Sequence, residues 1–311
     1  MRIVFMGTPE FALPSLDMLV NEGYEVAAVV TQPDKPAKRG KKITPPPVKE
    51  YAISKGLRVL QPEKIKTLEF LKTLEEIKPD LLITAAYGKI LSKEILELPP
   101  LGCINVHASL LPKYRGAAPI HWCIINGEKI TGITTMYTNE GLDTGDILLK
   151  AEVTITDDMT AGELHDKLSV LGAEVLKETL QKLKKNELER IPQDDGEATY
   201  APIITKDIGK IDWSKSSCEI YNLIRGTNPW PGAFTHYKGA VMKVWKSEIV
   251  DEEPCGGLKP GTILRVSKEG IVVCCGKGKI NIKEVQFASC RRMCVADYIC
   301  GNKIDEGEIL E

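Results

Sequence analysis

The fold of this 311-residue chain is decided near its start, by the stretch Arg2-Ile3-Val4-Phe5-Met6-Gly7-Thr8-Pro9-Glu10. The apolar run over residues 2–6 predicts a buried strand, and the glycine allows a tight turn after it. Thr8 is a typical helix N-cap before a proline, so we expect a helix that continues to about Asn21. A second apolar run follows at 26–30. This order of strand, turn, helix and strand indicates an α/β fold with a doubly wound parallel sheet.

The same alternation continues through the first half of the chain. Apolar runs predict further strands at 81–85, 103–107 and 133–137. Helical spacing of apolar residues predicts helices at 47–55, 66–77, 119–126 and 160–184. Ligands bind at the carboxyl ends of strands in open α/β sheets, so we expect the site there.

The pattern changes in the second half. Residues 190–204 lose periodicity and are interpreted as a linker between a domain over 1–189 and a domain over 205–311. Glycine-rich turns in the second domain separate short strand patterns at 233–237, 240–249, 262–266, 271–275 and 279–287. Such closely spaced strands predict a small antiparallel barrel. Residues 205–303 carry a net charge of +6 in a chain whose net charge is −2, which indicates a polyanionic partner.

The composition excludes several classes of protein. With 43% hydrophobic and 27% charged residues, no long apolar run and an early Pro-Glu pair, the sequence predicts neither a membrane span nor a signal peptide. The nine cysteines are scattered without a C-x-x-C pair, so we expect reduced thiols and no metal site. A cytoplasmic location is therefore expected.

Two polar residues alternate at the end of the strand predicted over 103–107. Asn105 and His107 are two positions apart, so their side chains point to the same face. An amide can hold an oxygen, and an imidazole can move a proton near neutral pH. A lone histidine is most often a core residue, but the neighbouring asparagine favours a catalytic role here.

A glycine-bracketed loop, Gly141-Leu142-Asp143-Thr144-Gly145-Asp146, can present a carboxylate to that pair. An asparagine, a histidine and a carboxylate together can stabilise an oxyanion and relay a proton, as acyl or formyl transfer to an amine requires. Chemistry favours Asp143, because Asp146 is more typical of a turn residue, and both remain candidates.

Five basic residues lie within eight positions, at Lys35, Lys38, Arg39, Lys41 and Lys42. The run is interrupted by proline and glycine, which disfavour regular structure. This run, here called the basic loop, is either a solvated loop or a mobile arm that contacts phosphates.

The chain resembles the methionyl-tRNA formyltransferases from end to end. The resemblance rests on the Asn-x-His and Gly-x-Asp elements, on the basic loop, and on these stretches: Phe5-Met6-Gly7-Thr8-Pro9-Glu10-Phe11-Ala12, Ala86-Tyr87-Gly88-Lys89-Ile90-Leu91, Tyr114-Arg115-Gly116-Ala117-Ala118-Pro119-Ile120 and Asn228-Pro229-Trp230-Pro231-Gly232-Ala233. The Asn-x-His and Gly-x-Asp elements are typical of folate-dependent formyltransferases in general. The basic loop and the Pro-Trp-Pro-Gly turn point to the tRNA-directed members.

The resemblance implies a Rossmann-like formyltransferase domain followed by a small OB-fold-like β-barrel. It implies 10-formyltetrahydrofolate as formyl donor and the methionine α-amino group of initiator methionyl-tRNA as acceptor, for use in translation initiation. It also implies that Asn105, His107 and Asp143 form the catalytic trio. We expect a monomer that holds no metal and contacts no membrane.

The resemblance further implies the binding residues. Folate contacts are expected from Tyr87, Ile90, Leu91, Ser109, Leu110, Leu111 and Pro112, and tRNA contacts from Lys38, Arg39, Lys41 and Lys42. Two rival functions remain: a formyltransferase acting on a small amine, and an RNA-binding protein without catalysis. The basic loop and the second domain disfavour the first rival, and the intact trio disfavours the second.

Overall fold

The computed structural model of the protein describes residues 1–37 and 42–311. These residues divide into two compact units. The first unit contains Met1–Pro119, Ile130–Thr154 and His165–Ala201, and the second contains Ile120–Lys129, Ile155–Leu164 and Pro202–Glu311.

Short strands and helices alternate along the chain. The strands are β1 (Arg2–Gly7), β2 (Glu25–Val30), β3 (Lys35–Ala37), β4 (Lys42–Thr44), β5 (Val59–Leu60), β6 (Leu81–Ala85), β7 (Cys103–His107), β8 (Arg115–Gly116), β9 (Ile130–Tyr137), β10 (Ile147–Thr154), β11 (Tyr200–Ala201), β12 (Ala233–Tyr237), β13 (Ala240–Asp251), β14 (Ile263–Ser267), β15 (Gly270–Cys274), β16 (Lys279–Phe287) and β17 (Met293–Cys294). The α-helices are α1 (Leu13–Asn21), α2 (Pro47–Ser54), α3 (Leu68–Ile77), α4 (Lys93–Glu97), α5 (Pro119–Ile125), α6 (Ala161–Lys185), α7 (Ser217–Gly226) and α8 (Val295–Ile299).

The first unit is built on a sheet in the order β10-β9-β7-β6-β1-β2-β5. The five neighbouring strands β7, β6, β1, β2 and β5 are parallel, as expected. However, β9 is antiparallel to β7, and β10 is antiparallel to β9. The expectation of a wholly parallel sheet is therefore wrong at this edge. Residues 138–146 join β9 to β10 directly, and so short a connection can join only antiparallel neighbours. The result is a mixed, Rossmann-like sheet.

The register of β6 against β7 positions the polar strand ends. Thr84 of β6 lies beside Asn105 of β7, and all five residues of β6 are buried. On one face of the sheet, Val4, Leu74 and Leu82 belong to a common hydrophobic core. This core packs α3 against β1 and β6.

The first helix starts later than the sequence predicts. A 3₁₀ turn over Glu10–Ala12 precedes α1, and the Thr8 hydroxyl donates to the Tyr87 carbonyl at 3.3 Å instead of capping a helix. Pro9 is in extended conformation, which delays the helical turn.

The second unit contains an antiparallel sheet in the order β12-β13-β16-β15-β14, with β17 beside β16. Helix α7 begins at a capping box in which Ser216 and Glu219 bond each other's backbone N–H groups. Its apolar face supplies Ile220 and Ile224 to the core of this unit. The antiparallel sheet expected from the sequence is present.

One pair of cysteines contradicts the expectation of reduced thiols. Cys255 and Cys274 form a disulfide, and their Cα atoms lie 6.0 Å apart. Spacing along the chain does not show this pairing, because residue 255 lies in the loop after β13 and residue 274 ends β15. In the part of the chain that the structure describes, no helix has both the length and the apolarity to cross a bilayer.

Candidate active site

His107 ends β7 and is buried, with 6% of its surface exposed. Its Nε2 lies 3.0 Å from the backbone carbonyl of Tyr114. Because a carbonyl only accepts hydrogen bonds, Nε2 carries a proton and donates it. The other ring nitrogen, Nδ1, is therefore the atom that can gain and lose a proton.

A carboxylate lies beside that second nitrogen. Asp143 Oδ2 is 3.7 Å from His107 Nδ1, which is within ion-pair reach and slightly beyond a hydrogen bond. The same oxygen accepts a hydrogen bond of 2.8 Å from the Gly116 N–H. Catalytic hydrogen bonds are often long before substrate binds, so this geometry suits a partner that tightens in the complex.

The rival carboxylate has a different place. The backbone carbonyl of Asp146 accepts from the Tyr137 N–H at 2.9 Å, at the base of the hairpin. A Cβ at the neighbouring Gly145 would collide with the Tyr137 carbonyl, so the loop turns tightly here. Of the two aspartates, Asp143 is the one that the structure brings to His107.

The amide of Asn105 is oriented by a neighbouring strand. The Thr84 hydroxyl donates to Asn105 Oδ1 at 2.8 Å. In this arrangement the amide oxygen is occupied, and the NH₂ group is left to donate elsewhere. Asn105 and His107 share a face of β7, so a donor and a proton carrier border the same space.

The turn after β7 is held from within. Ser109 Oγ donates to the Lys113 carbonyl at 2.6 Å, and the Thr134 hydroxyl donates to the Ser109 carbonyl at 2.7 Å. Leu111 N–H donates to the same Thr134 oxygen at 3.2 Å. Among the expected folate contacts, the side chains of Ser109 and Leu111 are buried, whereas Leu110 and Pro112 are partly exposed.

The remaining expected folate contacts lie after β6. Tyr87 and Leu91 are buried in the core, whereas 63% of Ile90 is exposed. Burial raises the pKa of the Tyr87 hydroxyl to about 12, and among the described residues this hydroxyl has no hydrogen-bond partner. Ile90 is thus the side chain of this group most open to a ligand.

The structure does not describe the side chains that are expected to contact tRNA. Lys38, Arg39 and Lys41 lie outside the described residues, and so does the side chain of Lys42. Their assignment remains a prediction from the sequence.

Sequence reasoning missed several residues around the trio. Thr84 left a signal, because it is the one polar residue in the apolar strand Leu81–Ala85. Gln193 left none, since it lies in the stretch interpreted as a linker. Yet its Nε2 donates to the carbonyls of Asp143 at 2.9 Å and Gly145 at 2.7 Å.

Two family matches cover most of the chain. Residues 1–180 match the family Formyl transferase, and residues 203–303 match Formyl transferase, C-terminal domain. The chain is 67% identical over 310 residues to the methionyl-tRNA formyltransferase of Acetivibrio thermocellus, which covers 100% of this chain and 99% of that protein. The corresponding protein of Ruminiclostridium cellulolyticum is 64% identical over 314 residues, covering 100% and 99%.

A solved structure shares the fold. It is the N-formyltransferase of Helicobacter canadensis in complex with folinic acid and dTDP-3-aminofucose. The TM-score is 0.67 at 23% sequence identity, over 92% of this chain and 99% of that one. At this identity the likeness concerns the fold alone.

Proposed function

This chain belongs to the methionyl-tRNA formyltransferase family, and we propose that Asn105, His107 and Asp143 carry out its formyl transfer. The enzyme transfers a formyl group in translation initiation. The proposed donor is 10-formyltetrahydrofolate, and the proposed acceptor is the methionine α-amino group of initiator methionyl-tRNA. The observation that carries the proposal is the convergence of His107 Nδ1 and the Asp143 carboxylate beside the strand that holds Asn105.

Charge stabilisation is the first proposed role. The amine nitrogen bonds to the formyl carbon, and negative charge then develops on the formyl oxygen. The NH₂ group of Asn105 is the proposed donor to that oxygen, because Thr84 occupies the amide oxygen. A preorganised donor of this kind contributes about 3 kcal/mol to transition-state stabilisation. His107 Nδ1 becomes the second proposed donor to the same oxygen once it has taken the proton from the attacking amine.

Proton transfer is the second proposed role. One proton leaves the attacking amine, and one is taken up by folate N10 as its bond to the formyl carbon breaks. His107 Nδ1 is the proposed carrier, because Nε2 is engaged by the Tyr114 carbonyl. Asp143 orients the ring and compensates its charge while it holds the proton.

Substrate binding completes the proposal. The folate contacts are proposed for the turn over 109–112 and for the segment containing Tyr87, Ile90 and Leu91. Lys38, Arg39, Lys41 and Lys42 are the proposed contacts to tRNA phosphates, supported by a C-terminal OB-fold-like barrel. The domain limits 1–189, 190–204 and 205–311 belong to this proposal. So do a monomeric state and a cytoplasmic location.

A competition assay tests the acceptor. The protein is incubated with 10-formyltetrahydrofolate and an equimolar mixture of methionyl initiator tRNA and an amino-sugar nucleotide. We expect formylmethionyl-tRNA as the product. Formylation of the small amine at a comparable rate would favour the rival function. Binding of tRNA without any product would favour a non-catalytic role.

A further inference from the structure

The residues on either side of His107 have unusual backbone conformations. Tyr114, whose carbonyl accepts from Nε2, has a φ of +60°, and Asp143, whose carboxylate faces Nδ1, has a φ of +52°. A non-glycine residue in this left-handed region is strained and persists only where its surroundings enforce it. Something must therefore hold both residues in place.

Residues 191–201, here called the 191–201 segment, contact both of them. Thr199 Oγ1 accepts from the Tyr114 N–H at 2.9 Å, and the Thr199 carbonyl accepts from the Arg115 N–H at 2.8 Å. Gln193 donates to the Asp143 carbonyl. The segment begins with an Ile191–Ile147 backbone bridge and ends in the parallel pairing of β11 with β8. It therefore bonds the backbone on both sides of the histidine.

The Gln193 amide uses all of its hydrogen-bonding capacity. Its NH₂ group donates to the carbonyls of Asp143 at 2.9 Å and Gly145 at 2.7 Å. Its oxygen accepts from Arg115 Nε at 3.1 Å and Nη2 at 2.9 Å. An amide has two donors and two acceptor lone pairs, so a rotation by 180° would break all four bonds.

The Gln193 amide is bonded to a buried side chain, that of Arg115. Only 2% of its side chain is exposed, and it also forms an ion pair of 2.8 Å with Asp195, whose side chain is 82% exposed. The next residue, Gly116, donates its N–H to the Asp143 carboxylate. The left-handed φ of +120° at Gly116 and the Ala201 carbonyl 2.8 Å from an added Cβ require glycine there. Arg115 and Gly116 thus fix the two ends of Asp143, its carbonyl through Gln193 and its carboxylate directly.

We infer that Gln193 is a positioning residue for formyl transfer, which sets the backbone of the 141–146 loop so that Asp143 faces His107. This inference rests on the proposed function of Asp143. Gln193 in the 191–201 segment thus has a positioning role, whereas the exposed Asp195 carboxylate bonds neither Asp143 nor His107 in the described structure.

Gln193→Glu tests the inference. Glutamate has the same shape and keeps its acceptor for Arg115, but it presents an oxygen to the two loop carbonyls and cannot donate to them. We expect kcat to fall by about tenfold to hundredfold, since a displacement of about 1 Å has that cost. KM for 10-formyltetrahydrofolate and for methionyl-tRNA should stay within about threefold, and Tm within a few degrees. Asp195→Ala, which removes the exposed partner of the same guanidinium, is the matched control and should retain kcat.

Gln193→Met gives a second test that does not depend on the folding of the first variant. It keeps the length of the side chain, removes the donors to the two loop carbonyls and should show the same fall in kcat with KM preserved. Asp143→Asn, measured in parallel, separates the two claims. If Asp143→Asn loses turnover while Gln193→Glu keeps wild-type kcat, the positioning role is wrong and the proposed function stands. If Asp143→Asn keeps wild-type turnover, the proposed role of Asp143 fails, and the inference fails with it. If Gln193→Glu lowered kcat, raised KM for both substrates and lowered Tm by more than a few degrees, the role of Gln193 would be purely structural.

Discussion

Asn105 and His107 are carried by β7, which pairs with β6 on one edge and β9 on the other, whereas Asp143 is carried by the loop between β9 and β10. Ladder hydrogen bonds on both edges fix the two strand residues. The loop residue is fixed by an amide side chain and by one backbone N–H from distant parts of the chain. Strand-borne groups thus depend on regular structure, and the loop-borne carboxylate depends on a few individual hydrogen bonds.

The largest effects are expected for the strand-borne groups. His107→Ala and Asn105→Ala should each lower turnover by at least about a hundredfold, since each removes a group that we propose acts on the reacting atoms. Both proteins should fold, because β7 keeps its backbone ladder. Single-turnover formylation of methionyl-tRNA measures the loss. His165→Ala is the control and should retain activity, because its imidazole is one-third exposed and pairs with Asp166. Near-wild-type turnover of His107→Ala would remove the central claim.

The loop-borne carboxylate should contribute less. Asp143→Asn should lower kcat by about tenfold to hundredfold, because the imidazole loses its charge partner and keeps its proton-carrying nitrogen. Asp146→Asn is the matched variant in the same loop and should retain most of kcat, since its backbone carbonyl makes the bond to Tyr137. If Asp146→Asn lowered kcat more than Asp143→Asn, the proposed choice of Asp143 as the catalytic carboxylate would be wrong.

The same contrast explains what could be predicted from the sequence. The strands over 81–85 and 103–107 were predicted with the bounds that the structure has, because apolar runs and alternation are local signals. The antiparallel edge at β10 was missed, although its residues alternate between partly buried and exposed positions after residue 148. The role of Gln193 could not be predicted, since its partners lie 48 to 78 residues away and are two backbone carbonyls and one guanidinium.

A hydrogen bond between two neighbouring strands, from Thr84 to Asn105, holds the amide of the proposed donor. Thr84→Val preserves side-chain shape and removes the donor that holds Asn105 Oδ1, so the amide can rotate and present the wrong end. We expect kcat to fall by about tenfold, less than for loss of the amide itself. Thr179→Val, which also removes a buried hydroxyl from the first unit, is the control and should lower stability without lowering kcat. Equal kcat values for the two variants would show that Thr84 does not orient Asn105.

The smallest effect on chemistry is expected from the basic loop. Arg39, Lys41 and Lys42 carry charge and belong to neither the strand-borne nor the loop-borne part of the trio. Their combined replacement by glutamine should raise KM for methionyl-tRNA several-fold and leave kcat and folate affinity unchanged. Fewer phosphate contacts release fewer counterions, so the dependence of log KM on log salt should flatten by about two units of slope.

A charge-matched variant separates specific contacts from net charge in this last test. Lys64, Lys66 and Lys72 are exposed residues of the same unit, and their replacement by glutamine removes the same three charges. This control should leave the salt slope close to that of the unmodified protein, because phosphate contacts and not total charge determine the slope. If both triple variants flattened the slope equally, the basic loop would act only through the overall field of the protein. Loss of folate affinity only in the variant of Arg39, Lys41 and Lys42 would place the basic loop at the folate site. The assignment of this loop to tRNA binding alone would then be wrong.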